Sequence, residues 1–461
     1  MANRGLDINN IIVNSSQTDL EHMGDKLREK VPFDALGTFK QTQRDPTLLM
    51  QRISDMLVPE LLPERYRRMG VSAFTFFRGT AELMAFDLNH QASTHIPVII
   101  SGDAHLGNFG FFASPERRLV FDLNDFDEAG VNSWERDVKR LLVSVILAGR
   151  ENGYTDKKIH KITRNVAKSY RAGIEASIKR STIDRFYPAN DVASILGAVP
   201  EGDPTADMIQ YFLDKAGKRN SEQVVKKFTQ TTDAGLRFVD NAKITRHTND
   251  DVTRNIIDYL TDYRSTVRTD IALLLSQYHV TDIARHCVGV GSFGSRCYLV
   301  LLTSIDGSHL VLQIKEALPT RKTGAERQLA LTSTFEENEG RRIIDSQKIL
   351  QSASDPFLGY FQSKKHSFYV RQFRDMKTSV DLATLSEDQF HVYAESCGRL
   401  LAVDHCQTPT GPMIAGYIGD SKKFDRAMTD WAEAYIPQVE KDYAIFLKNH
   451  PKEQALTESA K

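Results

Sequence analysis

A short segment near residue 100 combines a carboxylate, an imidazole and an amide at close spacing. It reads Gly-Asp-Ala-His-Leu-Gly-Asn over residues 102–108 and follows a short apolar run. In phosphoryl transfer from a nucleotide, a carboxylate such as Asp103 accepts or orients the proton of the attacking hydroxyl group. An amide such as Asn108 can help to hold Mg²⁺, which prefers oxygen ligands, against the phosphates. The spacing therefore indicates a candidate catalytic loop.

The next predicted strand ends in a run of acidic residues. Phe-Asp-Leu-Asn-Asp-Phe-Asp-Glu covers residues 121–128 and supplies the candidate metal ligands Asp122, Asp125 and Asp127. Two other interpretations stay open at this point. Asp and Asn side chains commonly cap turns between strands. Crowded carboxylates, Glu128 included, could instead bind two metal ions for hydrolysis.

A glycine motif and a lysine form a second candidate site much later in the chain. Glycines let backbone amides approach phosphates closely, and Lys315 on a following strand could neutralise phosphate oxygens. A strand rather than a helix follows the glycines, which disfavours a Rossmann fold, and the motif lacks the Gly-Lys-Ser/Thr ending of a Walker loop. Hairpin glycines and an outward-facing strand lysine are the alternatives. The candidate nucleotide-binding residues of the motif are Gly289, Gly291, Ser292 and Gly294.

Hydrophobic patterning predicts the elements that position these side chains. An amphipathic helix is predicted from Trp134, and residues 150–280 are predicted to be mostly helical. A turn at Asp306-Gly307 separates two predicted strands, in a part of the chain that is rich in β-branched residues. Apolar runs bounded by turn residues predict further strands at 96–100, 109–112, 119–121 and 367–373. The last predicted helices cover 387–406 and 422–448.

Composition and charge exclude several classes of protein. The 461 residues carry a formal net charge of -1, which disfavours a broad nucleic-acid-binding surface. The longest strongly apolar run, residues 141–148, is too short for a membrane span, and the first residues do not form a secretory signal. None of the four cysteines forms a Cys-x-x-Cys pair, so reduced thiols are expected rather than a zinc site. We expect a cytoplasmic protein without a membrane span or a nucleic-acid partner.

Together the motifs resemble the protein-kinase-like superfamily, in particular its aminoglycoside- and choline-kinase-like branch. That branch carries His-Gly-Asp-x-His-x-x-Asn, and this chain differs by having Ser101 at the first position. The branch then carries an Ile-Asp-Trp/Phe strand end, with a Gly five residues and a helical Asp twelve residues beyond that Asp. Here Gly130 and Asp137 follow Asp125 at those distances.

The resemblance implies a role for each of these side chains. Asp103 is the catalytic base, and Asn108 and Asp125 bind Mg²⁺, with Asp125 favoured over Asp122. Asp137 is the helix residue that braces the catalytic loop. Lys315 is the catalytic lysine that holds the nucleotide phosphates.

The sequence leaves open the roles of two further side chains, His105 and Arg78, and the identity of the residue that pairs with Lys315. His105 is better explained as a brace of the loop than as a base or ligand. Arg78 could bind a phosphate or a substrate acid, or could form a buried structural ion pair. Ordinary kinases pair the catalytic lysine with a Glu on a helix, and here the sequence offers several candidates for that partner. The candidates in the following predicted helix are Glu336, Glu337, Glu339 and Gln347.

The full set of motifs closely resembles a bacterial family known as domain of unknown function 2252, over about residues 45 to 410. In ordinary kinases the glycine loop and lysine precede the catalytic loop, whereas here they follow it. The resemblance therefore implies a circularly permuted, two-lobed α+β fold. Its parts are a mainly helical catalytic lobe over 1–280, a small antiparallel β-rich nucleotide-clamping lobe over 281–377, and helices over 378–461 that return to the catalytic lobe.

The expected function is ATP- and Mg²⁺-dependent phosphoryl transfer to a hydroxyl group of a small-molecule acceptor. Two alternatives fit the same motifs. One is nucleotidyl transfer, in which ATP binds in the reversed sense and AMP is transferred. The other is a non-catalytic pseudokinase that binds nucleotide. The sequence identifies neither the acceptor nor the oligomeric state.

Overall fold

The chain adopts an α+β fold of helices and small antiparallel sheets in a computed structural model. The ranges that the structure describes are 15–187, 206–207, 209–210, 221–233, 235–241, 244–287, 289–291, 293–319, 338–373 and 378–453. Within these ranges, no helix combines the length and the apolar character that crossing a membrane requires.

Six helices precede the first strand of the described chain. The fifth begins at a capping box, in which Ser72 and Thr75 satisfy each other's backbone amides. This helix and the one before it lie against the glycine motif, as described below. The six are α1 (Gln17–Lys30), α2 (Phe33–Leu36), α3 (Pro46–Ser54), α4 (Leu62–Met69), α5 (Ala73–Gly79) and α6 (Ala81–Leu88).

Two small sheets hold two candidate segments of the site. They are the candidate catalytic loop at residues 102–108, called the catalytic segment, and the acidic residues within 121–128, called the acidic run. β1 (Pro97–Ile100) pairs antiparallel with β4 (Gly130–Ser133), and β2 (Phe109–Ala113) pairs with β3 (Leu119–Leu123). β2 also pairs with the later strand β13 (Thr378–Ser379). The three predicted strands of this region are therefore confirmed. The catalytic segment connects β1 to β2 and the acidic run connects β3 to β4, so the pairing brings the two segments together.

A helix that is buried on nearly all sides follows these strands. α7 (Glu135–Glu151) confirms the helix predicted from Trp134, and its buried residues include Asp137 and Arg140 as well as apolar side chains. Charged residues are seldom buried unless they are paired, so their burial here points to polar partners inside the fold. α8 (Asp156–Ile178) and α9 (Thr182–Phe186) complete this part of the chain.

A six-stranded antiparallel sheet carries the lysine that the sequence singled out. Its order is β11-β12-β10-β9-β8-β7, and β9 and β10 form the predicted hairpin around Asp306-Gly307. Helices α10 (Ser221–Phe228), α11 (Asp250–Thr266) and α12 (Thr269–Leu275) precede it. The strands are β7 (Thr245–His247), β8 (Tyr278–His286), β9 (Cys297–Ser304), β10 (His309–Ala317), β11 (Gly359–Gln362) and β12 (Ser367–Gln372).

Part of the region that the sequence predicts to be helical, residues 150–280, forms strands instead. β7 and the start of β8 precede residue 281, and a separate hairpin pairs β5 (Thr229–Thr232) with β6 (Gly235–Phe238). The expectation that 150–280 is mostly helical misses these strands. β5, β6 and β7 have only three or four residues each, so their alternation is too short to compete with the helical pattern around them.

The C-terminal helices complete the largest hydrophobic core. α13 (Glu339–Leu350) lies between the strands of the sheet in sequence, and α14 (Glu387–His405) packs extensively against α8. The indole rings of Trp134 and Trp431 are fully buried in this core. The last two helices are α15 (Gly411–Ile418) and α16 (Lys422–Asn449), and the predicted helices at 387–406 and 422–448 are confirmed.

A glycine fixes the approach of the catalytic segment to the acidic run. Gly102 has a φ of +74°, in the left-handed region that side chains disfavour. A Cβ atom placed at this position would lie 2.1 Å from the carbonyl oxygen of Glu128. Only a residue without a side chain fits between the two segments.

We predict that Gly102→Ala lowers the free energy of unfolding by about 3 kcal/mol or more, because left-handed strain and a backbone clash add together. Gly153→Ala is the matched control, since Gly153 has a φ of +76° and a Cβ atom there would have no other atom within 4 Å. The control should cost only about 1 kcal/mol, from strain alone. Urea denaturation of both variants measures the difference, and equal losses would contradict the close approach.

Candidate active site

A single cavity brings together the two groups of candidate residues. Its volume is about 600 Å³, within the range of small-molecule sites. The catalytic segment and the acidic run contribute Asp103, Asn108 and Asp125 to its lining. The glycine motif and β10 contribute residues 289–291 and Lys315. Side chains that are nearly two hundred residues apart in the chain thus face one ligand-sized space.

Asp137 fixes the backbone at the start of the catalytic segment. Its carboxylate accepts hydrogen bonds from the amides of Ser101, at 2.7 Å, and Gly102, at 3.0 Å. The Nε2 atom of His405 lies 3.5 Å from the same carboxylate. Amide bonds to a buried carboxylate are among the stronger hydrogen bonds in proteins. The turn that carries Asp103 is therefore held by helix α7.

The same helix supplies a partner for the candidate base. The Arg140 guanidinium contacts Oδ1 of Asp103 through Nε at 2.8 Å and through Nη2 at 2.7 Å. Nη2 also donates to the Phe77 carbonyl oxygen at 2.7 Å. Asp137 and Arg140 are three residues apart on α7 and so project from the same face. Sequence reasoning missed Arg140, because an arginine within an amphipathic helix gives no signal of its own.

Asn108 links the catalytic segment to the acidic run. Its side-chain amide nitrogen donates to the carbonyl oxygens of Asp103, at 3.1 Å, and Asp125, at 2.9 Å. The amide oxygen is then the Asn108 atom that can bind a metal. The Asp125 carboxylate is nearby, and its side chain is 44% exposed. Mg²⁺ is commonly held by one or two protein oxygens together with substrate phosphates, and this donor set fits that pattern.

Lys315 is buried and pairs with the acidic run. Its ammonium group forms a close ion pair with Asp127 and lies 3.5 Å from Asp125. The Tyr369 hydroxyl donates to the other Asp127 oxygen at 2.8 Å. Burial alone lowers the pKa of Lys315, but the two carboxylates outweigh it and the pKa lies well above its ordinary value. The lysine is therefore fully charged and faces the cavity rather than solvent.

The helical residues considered as lysine partners are engaged elsewhere or lie outside the described chain. Glu339 accepts a hydrogen bond from Arg342 at 2.6 Å, and Gln347 donates to Gln351 at 2.9 Å. Glu336 and Glu337 fall within the residues that are not described. Where the structure describes α13, no carboxylate on it forms an ion pair with Lys315, and the acidic run takes that place.

Two arginines hold the glycine motif by its carbonyl oxygens. The buried Arg65 guanidinium donates to the carbonyl oxygens of Val290, at 3.0 Å, and Phe293, at 3.2 Å, and also to that of Gly291. Arg68 donates to the carbonyl oxygen of residue 289 at 3.0 Å. Both arginines come from α4, which the sequence did not connect with the motif. Ser292 is not among the described residues, and Gly294 does not line the cavity.

Arg78 and His105 line the cavity beside the catalytic segment. Burial lowers the pKa of Arg78. Burial, together with the nearby guanidinium groups of Arg78 and Arg140, also holds the pKa of His105 well below its ordinary value. His105 is therefore neutral near pH 7. Its Nε2 atom lies 3.7 Å from Oδ2 of Asp103.

Two candidate metal ligands do not line the cavity. Asp127 contacts Lys315 but does not itself line the cavity, and Asp122 is fully buried. Asp122 accepts hydrogen bonds from the amide and hydroxyl groups of Ser352, each at 3.0 Å, and from the Leu123 amide at 2.8 Å. Among the described residues, no three His, Cys, Asp or Glu side chains converge on a common metal position. The interpretation that the crowded carboxylates bind two metal ions for hydrolysis therefore lacks a supporting cluster among the described residues.

A further cation lines the cavity on β12, next to the lysine strand. Arg371 donates from Nε to Gln313 at 2.9 Å. Burial by itself lowers the pKa of Arg371, but Tyr369 and the acidic run raise it above its ordinary value. The sequence offered only the alternation of β12 as a signal for this residue. The pairing of β12 with β10 places Arg371 opposite Gln313, two positions from Lys315 along the strand.

Comparisons with known proteins identify a family. A family model described as "Uncharacterized protein conserved in bacteria (DUF2252)" matches residues 57–449, which is most of the chain. No curated protein and no solved structure matches the chain.

The burial of Asp122 predicts a pH-dependent cost. Burial raises its pKa from 3.8 to about 6, although hydrogen bonds from Ser352 and Leu123 act in the opposite direction. The folded chain then holds this proton more tightly than the unfolded chain does, so stability is lost as pH rises from about 4 to about 6. The free energy of unfolding of Asp122→Asn, relative to that of wild type, should therefore rise by about 3 kcal/mol between pH 4 and pH 6. Above pH 6 the difference between the two proteins should stay constant.

Denaturant unfolding of both proteins at several pH values measures this gain. Asp156→Asn is the control, because the Asp156 side chain is 89% exposed and its removal should give a nearly flat difference. A flat difference for Asp122→Asn as well would show that the carboxyl group is not buried as described.

Proposed function

The chain belongs to the bacterial DUF2252 family, and we propose that it is an ATP- and Mg²⁺-dependent phosphotransferase of kinase-like, circularly permuted fold. The observation that carries this proposal is the shared cavity. It unites a candidate base, Asp103, a candidate metal-binding pair, Asn108 and Asp125, and a buried cation, Lys315. Phosphoryl transfer requires this set of groups around one ligand.

The arrangement of elements supports kinase-like ancestry. The glycine motif connects two strands of the sheet that carries Lys315, and both line one cavity with the catalytic segment. Asp137 binds the backbone of that segment, as the resemblance implies for the bracing Asp. The glycine motif follows the catalytic segment in the chain, which suits a permuted order, because a site depends on spatial position rather than on chain order.

In this proposal the nucleotide phosphates lie between the glycine motif and the acidic run. Lys315 and Arg371 would neutralise phosphate oxygens from the sheet. Asp125 and the amide oxygen of Asn108 would hold Mg²⁺, which supplies charge neutralisation on the phosphates when it is bound. Most of the rate would come from positioning and preorganised charge.

Asp103 would receive the acceptor proton. Arg140 contacts Oδ1 of Asp103, so we assign the proton to Oδ2. The acceptor oxygen forms a bond to the γ-phosphorus atom as the bond to the bridging oxygen breaks, and ADP leaves. The Arg140 contact also orients the carboxylate before the acceptor binds.

The first test is nucleotide binding. A ligand that binds only the folded state raises stability by mass action, by about 2.7 kcal/mol at 100 times its Kd. We predict a Mg²⁺-dependent rise in melting temperature of several degrees with ATP, lost in Asp125→Ala. Asp122→Asn should keep the rise, because Asp122 does not line the cavity. The absence of a rise at millimolar ATP would refute the nucleotide proposal.

The second test is transfer. Asp103→Asn should lower kcat about 100-fold or more, because general-base catalysis is lost, and should leave nucleotide binding unchanged. Turnover against a panel of hydroxyl compounds measures kcat, and mass spectrometry of the product identifies the transferred group. A product that gains AMP would replace phosphoryl transfer by nucleotidyl transfer. Nucleotide binding without any transferred group would instead support a pseudokinase.

A further inference from the structure

Two buried nitrogen atoms beside the catalytic segment have no role in the chemistry described so far. They are Nε of Arg78 and Nδ1 of His105, and neither makes a hydrogen bond in the described part of the chain. Buried polar atoms are almost always satisfied in folded proteins, so two orphans in one cavity wall call for a partner. Both residues line the cavity and lie beside the space that a ligand would occupy.

The two side chains face the same gap. A Cβ atom placed on Gly107 would lie 3.2 Å from both Nε and Cζ of Arg78 and 3.3 Å from Cε1 of His105. The guanidinium and the imidazole therefore converge over a residue that has no side chain of its own. Groups from α5 and from the catalytic segment thus form one small pocket within the cavity.

The carboxylates of Asp103, Glu151 and Asp125 act on the Arg78 guanidinium from beyond ion-pair distance. No ion pair involves Arg78 among the residues that the structure describes, and its guanidinium lies 5.7 Å from the Phe74 ring centroid. A partly buried cation that forms no ion pair favours a ligand that supplies one. The planar guanidinium fork matches the geometry of carboxylate and phosphate groups.

We propose that Arg78 and His105 bind an anionic group of the acceptor, a carboxylate or a phosphate, beside its reacting hydroxyl. This inference rests on the proposed function and narrows its acceptor to acidic hydroxyl compounds. Because His105 is neutral, it donates to the anion in the tautomer that carries its proton on Nδ1. Its other ring nitrogen, Nε2, lies 3.7 Å from Oδ2 of Asp103, so the bound anion would lie close to the candidate base. In the proposed function Lys315 and Arg371 serve the nucleotide phosphates from the sheet, whereas Arg78 lies beside the catalytic segment at Gly107.

The test uses the full chain with Mg²⁺ and a non-hydrolysable ATP analogue. The analogue is first shown to raise the melting temperature. Inorganic phosphate and acetate are then titrated, with chloride at equal ionic strength as the reference. In wild type we expect a saturable further rise with at least one of the two anions. Arg78→Gln should weaken that response at least tenfold and keep the analogue's own shift.

Two further variants make the outcome decisive. Arg150→Gln removes an arginine whose side chain is 43% exposed and which does not line the cavity, and it should keep both responses. Gly107→Ala puts a methyl group into the gap without changing any charge, and it should weaken the anion response. If Arg78→Gln does not fold, the anion response of Gly107→Ala tests the proposal in its place.

Each contrary result has a distinct meaning. A shift with the analogue but no anion response in wild type, or a response that Arg78→Gln and Gly107→Ala leave unchanged, overturns the anion pocket alone. Loss of the analogue's shift in Arg78→Gln assigns Arg78 to the nucleotide and also overturns the inference. No shift with the analogue in wild type refutes the proposed function and, with it, the acceptor assignment.

Discussion

The ion pairs of Lys315 with Asp127 and Asp125 join the six-stranded sheet to the acidic run, and the cavity depends on that junction. A buried ammonium group must keep a counter-charge, because an unpaired one costs several kcal/mol. The sheet cannot move away from the acidic run unless another anion replaces the carboxylates. Arg342 adds to the same junction, since it donates to the carbonyl oxygens of Asp127 and Leu318. The pairing gains little net stability, but it fixes where the two parts meet.

Helix α7 determines the geometry of the catalytic segment on the other side of the cavity. Asp137 binds the backbone of the segment, and Arg140 orients the Asp103 carboxylate. Asp137 lies in the first turn of the helix, where a negative charge interacts favourably with the helix dipole. Because α7 is buried on nearly all sides, these contacts are held rigidly. The proposed phosphoryl transfer would depend on positioning of this kind.

The glycine motif differs from a freely moving phosphate loop. Arg65 binds several of its carbonyl oxygens and Arg68 binds another, so the motif is fixed against α4. Because the arginines bind these carbonyl oxygens, other atoms of residues 289–291 line the cavity. The cost of ordering a loop when a ligand binds is thereby reduced, because much of that ordering is already present.

The sequence by itself determined the local features. Motif spacing singled out Asp103, Asn108, Asp125 and Lys315 as candidates, and hydrophobic periodicity predicted most strands and helices, because both signals depend on near neighbours in the chain. Tertiary structure decided which distant groups meet. Where the structure describes the chain, Lys315 pairs with the acidic run and not with a Glu of α13, and Arg140 lies beside Asp103. Such pairings follow from how sheets and helices pack, and short strands such as β7 have too few residues to reveal themselves.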